Sequence, residues 1–286
     1  MVAKESSIAI IGVGHLGTAL ALQLHNAGFL LHELVTRDDV RSLKRAQKLA
    51  RRVGAKAKMI SAAALTARVI WICVNDDAIR PLAEQLAKRG NWQGKIVVHS
   101  SGALSSDELK TLKQRGAHVG SAHPMMTFVG NAQVSFKGIS FALEGDAKAV
   151  TLGRSVAVAL GMQPFTIPKS SKVLYHATGS FSSPMVIALM TFAERVAAAA
   201  KVPRKLVPKV IRPILQKTLE NYLANGAAAA FSGPINRGDI ATVRKHLAEL
   251  KRVPGAREVY ILLARAAANG LPVKNRAQIK KLLGER

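Results

Sequence analysis

The chain is predicted to be an α/β protein, a doubly wound parallel sheet followed by an all-helical domain. Two observations predict it. From residue 8 to residue 167, short apolar runs alternate with amphipathic helical stretches, the rhythm of successive βαβ units with helices on both faces of a sheet. After "IPKSS" (167–171) the rhythm stops, and no strand-like run follows it. The domain division is therefore placed between 1–168 and 169–286.

The elements follow in order. "IAIIGVG" opens the chain as a strand running into a glycine turn, with a helix over 15–27, a strand "LLHELVT", a helix over 39–53 and a short strand "AKMIS". "VIWICV" (69–74) and "KIVVHS" (95–100) are continuous apolar runs, expected of strands covered on both faces. "HVGSA" (118–122), "ISFAL" (139–143) and "PFTI" (164–167) read as later strands, with a helix over 147–160 joining the last two. The stretch 171–201 is apolar at helical spacing, but Gly179 and Pro184 predict a kink or restart near 180–184, with Ser182 or Ser183 as the cap. Further helices are expected at 204–225, at 239–251 with Asp239 as N-cap, and at 255–269, where Gly270 and Pro272 give a stop.

Composition narrows the function classes. A hydrophobic content of 49% excludes a mostly disordered chain. The single cysteine, Cys73, sits inside an apolar strand, so it reads as a small buried hydrophobe; no disulfide and no metal site is expected. "MVAKESS" is polar and the apolar run after it is broken by three glycines, so no signal peptide is expected. No run approaches the ~20 apolar residues of a membrane span, and a cytoplasmic protein is expected.

The formal net charge of +25 calls for an anionic partner to be considered. From Lys201 onward, 18 Lys/Arg stand against 5 Asp/Glu, which is about half of the excess. No run of basic residues is interleaved with aromatics, so nucleic acid is not an expected partner. A solvated basic surface is the first reading, and attraction of an anionic cofactor or substrate the second.

"GVGHLG" (Gly12 to Gly17) matches G-x-G-x-x-G, and here the pattern follows a strand and opens a helix, the context of a Rossmann dinucleotide site. Gly12 permits the tight turn, Gly14 lets a pyrophosphate approach the backbone, and Gly17 lets helix and strand pack closely. His15 and Leu16 flank the phosphates at the helix N-terminus. At the end of the second strand an acidic residue would hold the ribose hydroxyls of NAD, but the sequence has Thr36 and Arg37, with Arg41 and Lys44 nearby. A hydroxyl and a guanidinium suit the additional phosphate of NADP. Asp38 would take the acidic role if the register were shifted by one residue. Val74 and Asn75, after "VIWIC", would flank the cofactor at the carboxyl edge of the sheet, and Asp77 would cap the helix that follows.

Two polar stretches, "HSSGALSSDEL" (99–109) and "GSAHPMMTF" (120–128), end neighbouring strands at that same edge. His123 is a candidate acid or base, since a neutral imidazole can take or return the proton of a hydroxyl as hydride moves. Ser100 or Ser101 could share its hydrogen bond. The alternative is a rigid His-Pro turn with a structural His123, and His99 reads as buried. In "KVLYH", Lys172 and His176 lie four residues apart on one helix face, while Tyr175 reads as packing. "FSGPINRGD" (Phe231 to Asp239) offers Arg237 as a bidentate carboxylate clamp, or else a plain turn with a solvated arginine.

Taken together, "GVGHLG", "HSSGALSSDEL", "SAHPMMTF", "KVLYHATGSF" and "SGPINRGD" resemble a bacterial family that joins an N-terminal Rossmann-like domain to an all-helical C-terminal domain. The family is similar to 6-phosphogluconate-dehydrogenase-like oxidoreductases, among them ketopantoate reductases, pyrroline-5-carboxylate reductases and prephenate dehydrogenases. The resemblance covers nearly the whole chain. It implies a catalytic histidine at His123, paired with a serine at Ser100 or Ser101, by similarity to the His-Pro motif of prephenate dehydrogenases. By similarity to the hydroxyacid dehydrogenases it implies a catalytic lysine at Lys172; His176 stands where an asparagine is usual, and "FSSP" where Ala-Ser-Asn is usual.

The expected protein is thus an NADP-dependent oxidoreductase acting on a small keto or hydroxy carboxylic acid, as ketopantoate reductases do, with NAD the less favoured cofactor and a homodimer formed through the apolar helices after residue 200. The alternatives are an imine reductase of the pyrroline-5-carboxylate type and an NADP-binding sensor without turnover.

Overall fold

A computed structural model describes residues 6–128 and 134–284. Two compact units divide at Ser183/Pro184, one helix later than the division drawn from the sequence after residue 168.

In the sheet unit, β1 (Ile8–Ile11), β2 (Leu31–Thr36), β3 (Lys56–Met59), β4 (Val69–Ile72), β5 (Ile96–His99), β6 (His118–Pro124), β7 (Ser140–Gly145) and β8 (Gln163–Thr166) form one sheet. Their order is β3-β2-β1-β4-β5-β6-β7-β8. The connecting helices are α1 (His15–Asn26), α2 (Val40–Val53), α3 (Asp76–Ala87), the short α4 (Lys110–Gln114) and α5 (Ala147–Ala159). Alternate residues of one strand feed two cores. Ile8 and Ile10 pack on one face with Leu20, Leu24, Leu49 and Val156, whereas Ala9 and Ile11 pack on the other with Ile79, Leu86 and Leu112. Coverage of both faces is what the continuous apolar runs required.

The sheet is parallel, as expected, at every pair of strands but one. β7 pairs antiparallel with β6, with His123 opposite Ala142 and Ser121 opposite Glu144, and β8 is parallel to β7. An apolar run identifies a strand but carries no direction. Parallel pairing needs a crossover of a dozen or more residues, usually a helix, and none of the described residues between Pro124 and Ser140 is helical.

The last helix of this unit, α6 (Lys172–Ser182), ends at Ser183, where the backbone leaves the helical region (φ −133°, ψ −83°). In the helical unit, α7 (Pro184–Ala199) starts on the proline, as the expected break near 180–184 requires. α8 (Val207–Ala230) is non-helical at Gly226 (φ 75°, ψ 172°), so its regular part ends where the sequence placed it. α9 (Ile240–Glu249) is capped by Asp239, whose carboxylate accepts from the Thr242 amide at 3.0 Å. α10 (Ala256–Gly270) stops at its glycine, and α11 (Arg276–Leu282) follows beyond Pro272, a helix the sequence reading did not include.

Candidate active site

The chain turns from β2 to β3 on one side of β1 and to β4 on the other, so the carboxyl ends of β1 and β4 border the crevice where open α/β sheets bind ligands. The glycine loop lies there. Gly12 has φ +98°, and a Cβ on it would come within 2.4 Å of the Cys73 carbonyl oxygen; a Cβ on Gly17 would stand 1.9 Å from the Gly12 oxygen. Both positions therefore require glycine. Gly14 differs: a Cβ there would meet nothing within 4 Å, so the N-terminus of α1 opens onto space that a pyrophosphate fits. His15 is exposed beside it and Leu16 half-buried.

The acids after β2 are both committed. Asp38 accepts from the Ser61 hydroxyl at 2.6 Å and the Ser61 amide at 3.1 Å, which holds its carboxyl below the usual range. Asp39 caps α2 through the amides of Arg41 and Ser42, each at 3.1 Å. Its carboxyl is lowered to about 2, by the Ser42 hydroxyl first. Neither carboxylate is left to hold a ribose. Thr36 is buried and donates to the Arg37 carbonyl at 3.0 Å, while the Arg37 side chain is 77% exposed, with Nε 3.3 Å from the Ser42 hydroxyl. Arg41 and Lys44 are exposed.

Asp77 does not cap α3, which starts one residue earlier, at Asp76, with Asn75 in the cap position and no side-chain cap bond. The Asp76 carboxylate instead accepts from the Ser101 hydroxyl at 2.8 Å. Val74 is half-buried and Asn75 exposed at the end of β4. Cys73 is held as a thiol: burial pushes it up to about 12.

Beyond β5 and along β6 and α6 the structure gathers His123, Lys172, Tyr175 and His176. α6 climbs beside β6 in register. Lys172 lies at the level of Ser121 (Nζ to Oγ 2.6 Å), Tyr175 and His176 at His123, and Gly179 at Met125, where a Cβ would stand 2.7 Å from the sulfur. Each turn of helix advances about as far as two strand residues, and Ser121 and His123 share a face of β6 because strand side chains alternate.

The serines do not pair with His123. Ser100 is buried, accepts from the Trp71 indole at 2.8 Å and sits 3.7 Å from the Cys73 sulfur. The Ser101 hydroxyl binds Asp76 and accepts from the Leu104 amide at 3.0 Å. The partner of His123 is Tyr175, whose hydroxyl lies 3.3 Å from Nδ1, with the rings edge-on at 87°. The His176 ring is also edge-on, 5.8 Å away. Gly102 makes room for both imidazoles: a Cβ there would stand 2.5 Å from His176 Cδ2 and 2.8 Å from His123 Nε2.

Lys172 is 1% exposed, and its ammonium donates to the Ser101 carbonyl at 3.0 Å and to the Ser121 hydroxyl. Burial lowers it to about 8, against the pull of Glu144 and Asp76. It lies behind His123 and acts on that ring through its charge. His123 is lowered to about 4 by burial first, then by Lys172, His176 and His99. His99 is fully buried, as expected, accepting from the Ser101 amide at 3.2 Å and donating to the Ser105 carbonyl at 3.0 Å.

Ser121, Gly102, Asp76 and the role of Tyr175 were absent from the sequence reading. Only Ser121 had a local signal, its spacing of two from His123. In the helical unit, Arg237 is exposed in the turn before α9, where its amide bonds the Gly233 carbonyl at 3.1 Å.

Residues 7–101 match the family described as NADP oxidoreductase, coenzyme F420-dependent, and residues 139–267 match a domain of unknown function, DUF2520. Each of the two matches covers less than half of the chain. Among solved structures it is similar to protein TM1727 from Thermotoga maritima (24% identity, TM-score 0.74, covering 92% of this chain and 97% of that one). It is also similar to BF3122 from Bacteroides fragilis (22% identity, TM-score 0.73, 92% and 98%). An imine reductase from Myxococcus stipitatus in complex with NADP+ shares the fold over 97% of this chain and 99% of its own (17% identity, TM-score 0.67). No curated protein matches the chain. In this oxidoreductase the glycine loop falls inside the first matched segment, whereas Lys172, Tyr175 and His176 fall inside the second. No helix among the described residues is long and apolar enough to cross a membrane.

Proposed function

We propose that the protein is an NADP-dependent reductase of a carbonyl carbon in a small keto carboxylic acid, with the hydroxy acid as product. The observation that carries the reading is the cluster of His123, Tyr175 and His176 at the sheet edge that also holds the glycine loop, with a buried ammonium behind it. Bound nicotinamide would supply the hydride. The chain's own part is binding, orientation and movement of the proton. Gly12 and Gly14 shape the phosphate loop, Arg37 takes the 2′-phosphate side with Thr36 bonded to its carbonyl beneath it, and Val74 and Asn75 border the nicotinamide. Engagement of Asp38 by Ser61 favours NADP over NAD, since a carboxylate that is free after β2 would repel the phosphate. His123 transfers the proton, its ring kept neutral by burial first and by the charge of Lys172 second. Arg237 is the proposed anchor of the substrate carboxylate.

A second reading, reduction of a cyclic imine, draws on the likeness to the Myxococcus stipitatus enzyme. Titration with NADPH and NADH, followed by nicotinamide absorbance with ketopantoate, pyrroline-5-carboxylate and a panel of 2-keto acids and imines, separates these readings. Tight NADPH binding with oxidation by a keto acid is expected. Oxidation by imines alone selects the second reading, and binding with no turnover leaves a nicotinamide sensor. His123→Ala should lower kcat by about 10²–10⁴-fold with NADPH affinity unchanged.

We also propose a homodimer through the helical unit. α8 buries only Val207, and its exposed Val210, Ile214, Leu219, Tyr222 and Leu223 are spread over more than one face; a helix that is apolar on most sides belongs in an interior. The same unit holds an apolar cleft of about 660 Å³ lined by Leu189, Phe192, Val196, Phe231, Val259 and Leu263. A second copy brings both features at once, which suits the self-complementary contact of a twofold dimer.

A further inference from the structure

The phenolic oxygen of Tyr175 stands 3.3 Å from Nδ1 of His123. A half-buried hydroxyl needs an acceptor for its hydrogen, and Nδ1 is the one acceptor it meets among the described residues. The contact admits the arrangement in which the phenol donates and Nδ1 accepts. A neutral imidazole that accepts at Nδ1 carries its hydrogen on Nε2. That atom makes no hydrogen bond to another described residue, and it lies over Gly102, where there is no side chain to cover it.

We propose that Tyr175 is a positioning residue for proton transfer by His123: it fixes the imidazole as an Nε2–H donor and resupplies the proton that Nε2 gives up. The inference rests on the reductase reading above. In carbonyl reduction a C–H bond forms at the carbonyl carbon with the hydride of the nicotinamide, and the C=O π pair moves onto oxygen. The Nε2–H bond of His123 breaks toward that oxygen while the Tyr175 O–H bond breaks toward Nδ1. The products are the alcohol, the oxidised nicotinamide, a neutral imidazole with its hydrogen on Nδ1, and a phenolate; the Nδ1 hydrogen returns to the phenolate as Nε2 takes a proton from solvent, which restores the resting pair. An alkoxide is a stronger base than a phenolate, so the proton runs downhill along this path.

The surroundings agree with the assignment. Burial pushes the Tyr175 hydroxyl up to about 12, so it is protonated at rest. The charged and titratable groups that act on His123 are Lys172 and His176 from α6 and His99 from β5, all of which disfavour a second proton on the ring. The Tyr175 ring also packs edge-on against Phe165, centroids 5.8 Å apart, a contact that a phenylalanine keeps.

Tyr175→Phe thus removes one oxygen and leaves the packing. Long-range ¹H–¹⁵N spectra of the imidazoles in the full chain, with His123 assigned from the His123→Gln spectrum, need no substrate. The expected result is an Nε2–H tautomer in the wild type and a mixture of tautomers in Tyr175→Phe. With a substrate of the wild type, Tyr175→Phe should lose about 100-fold in kcat, with KM and NADPH affinity within twofold. A wild-type spectrum with the hydrogen on Nδ1, or a Tyr175→Phe enzyme with wild-type kcat, overturns the proposal. Absence of turnover in the wild type itself would overturn the reductase reading and the resupply step with it, while the spectrum alone would decide the tautomer.

Discussion

In the sheet unit Glu33, His99, Glu144 and Lys172 are buried and each is hydrogen-bonded, whereas in the helical unit α7 buries no residue and Ile214 and Leu223 of α8 are 68% and 80% exposed. One unit hides bonded polar groups inside its core, with exposed apolar side chains on its last helix, α6 (Val173, Leu174 and Phe181); the other leaves apolar groups exposed along both α7 and α8. Burial of polar groups is tolerated only where each finds a partner, which marks the first unit as the place where chemistry is built. Exposed apolar surface at helical spacing marks the second as a surface for association. The contrast separates two classes of substitution. Changes in the sheet unit should alter chemistry at constant mass, and changes in α8 should alter mass first.

The largest effect is expected from the double substitution Ile214→Asp with Leu223→Asp. An unpaired charge buried in an interface costs on the order of several kcal/mol, so self-association should weaken by at least about 100-fold. Sedimentation velocity should then show a monomer where the wild type shows a dimer, with far-UV dichroism retained. An unchanged sedimentation coefficient would break the contrast, because α8 would then have some other use.

Gly102→Ala follows, with a smaller loss. Its Cβ would stand 2.5–2.8 Å from the rings of His123 and His176, so one or both must move. Overpacking of this kind costs about 1–3 kcal/mol, and a shift of about 1 Å at a reacting group can cost up to 10²-fold in rate. A kcat loss of about 10–100-fold is expected, with NADPH affinity and dimer mass unchanged. Loss of the dimer in this variant would show that the two units are not separable in the way proposed.

Much of this arrangement was legible in the sequence because it depends on short-range rules. Gly12 and Gly17 announce themselves, since no other residue fits their turn and contact, and the βαβ rhythm located every strand of the sheet. The direction of β7 was hidden because hydrophobic pattern is blind to strand polarity. Asp38 could not be judged from the chain alone, because what removes it from the ribose is Ser61, on the turn after β3. Tyr175 was read as packing for a similar reason: a tyrosine in an apolar helix looks the same whether or not a histidine 52 residues away along the chain meets its hydroxyl. At Lys172 the resemblance implies a catalytic lysine, and no local pattern announces that the side chain is 1% exposed and bonded to the Ser101 carbonyl and the Ser121 hydroxyl.

The smallest expected effect concerns acid. Burial first, and neighbouring positive charge after it, hold His99 and His123 at about 4 in the folded protein, against about 6.5 for a histidine in the unfolded chain. Between these values the unfolded chain binds protons that the folded chain refuses, so stability falls as the pH is lowered. The contribution is fully present above about 6.5 and is lost as the pH passes through about 4. Lys172 has the same sign in a different window: its folded value of about 8 lies below the usual 10.5, so stability rises between those two values. His99→Gln tests the acid window, since the amide can still donate to the Ser105 carbonyl and cannot titrate. Urea unfolding at pH 7 and pH 5 should show a drop in the wild type that is smaller in the variant by on the order of 1 kcal/mol. Equal drops would mean that His99 titrates alike in both states, and that the polar interior of the sheet unit is more open to water than its hydrogen bonds imply.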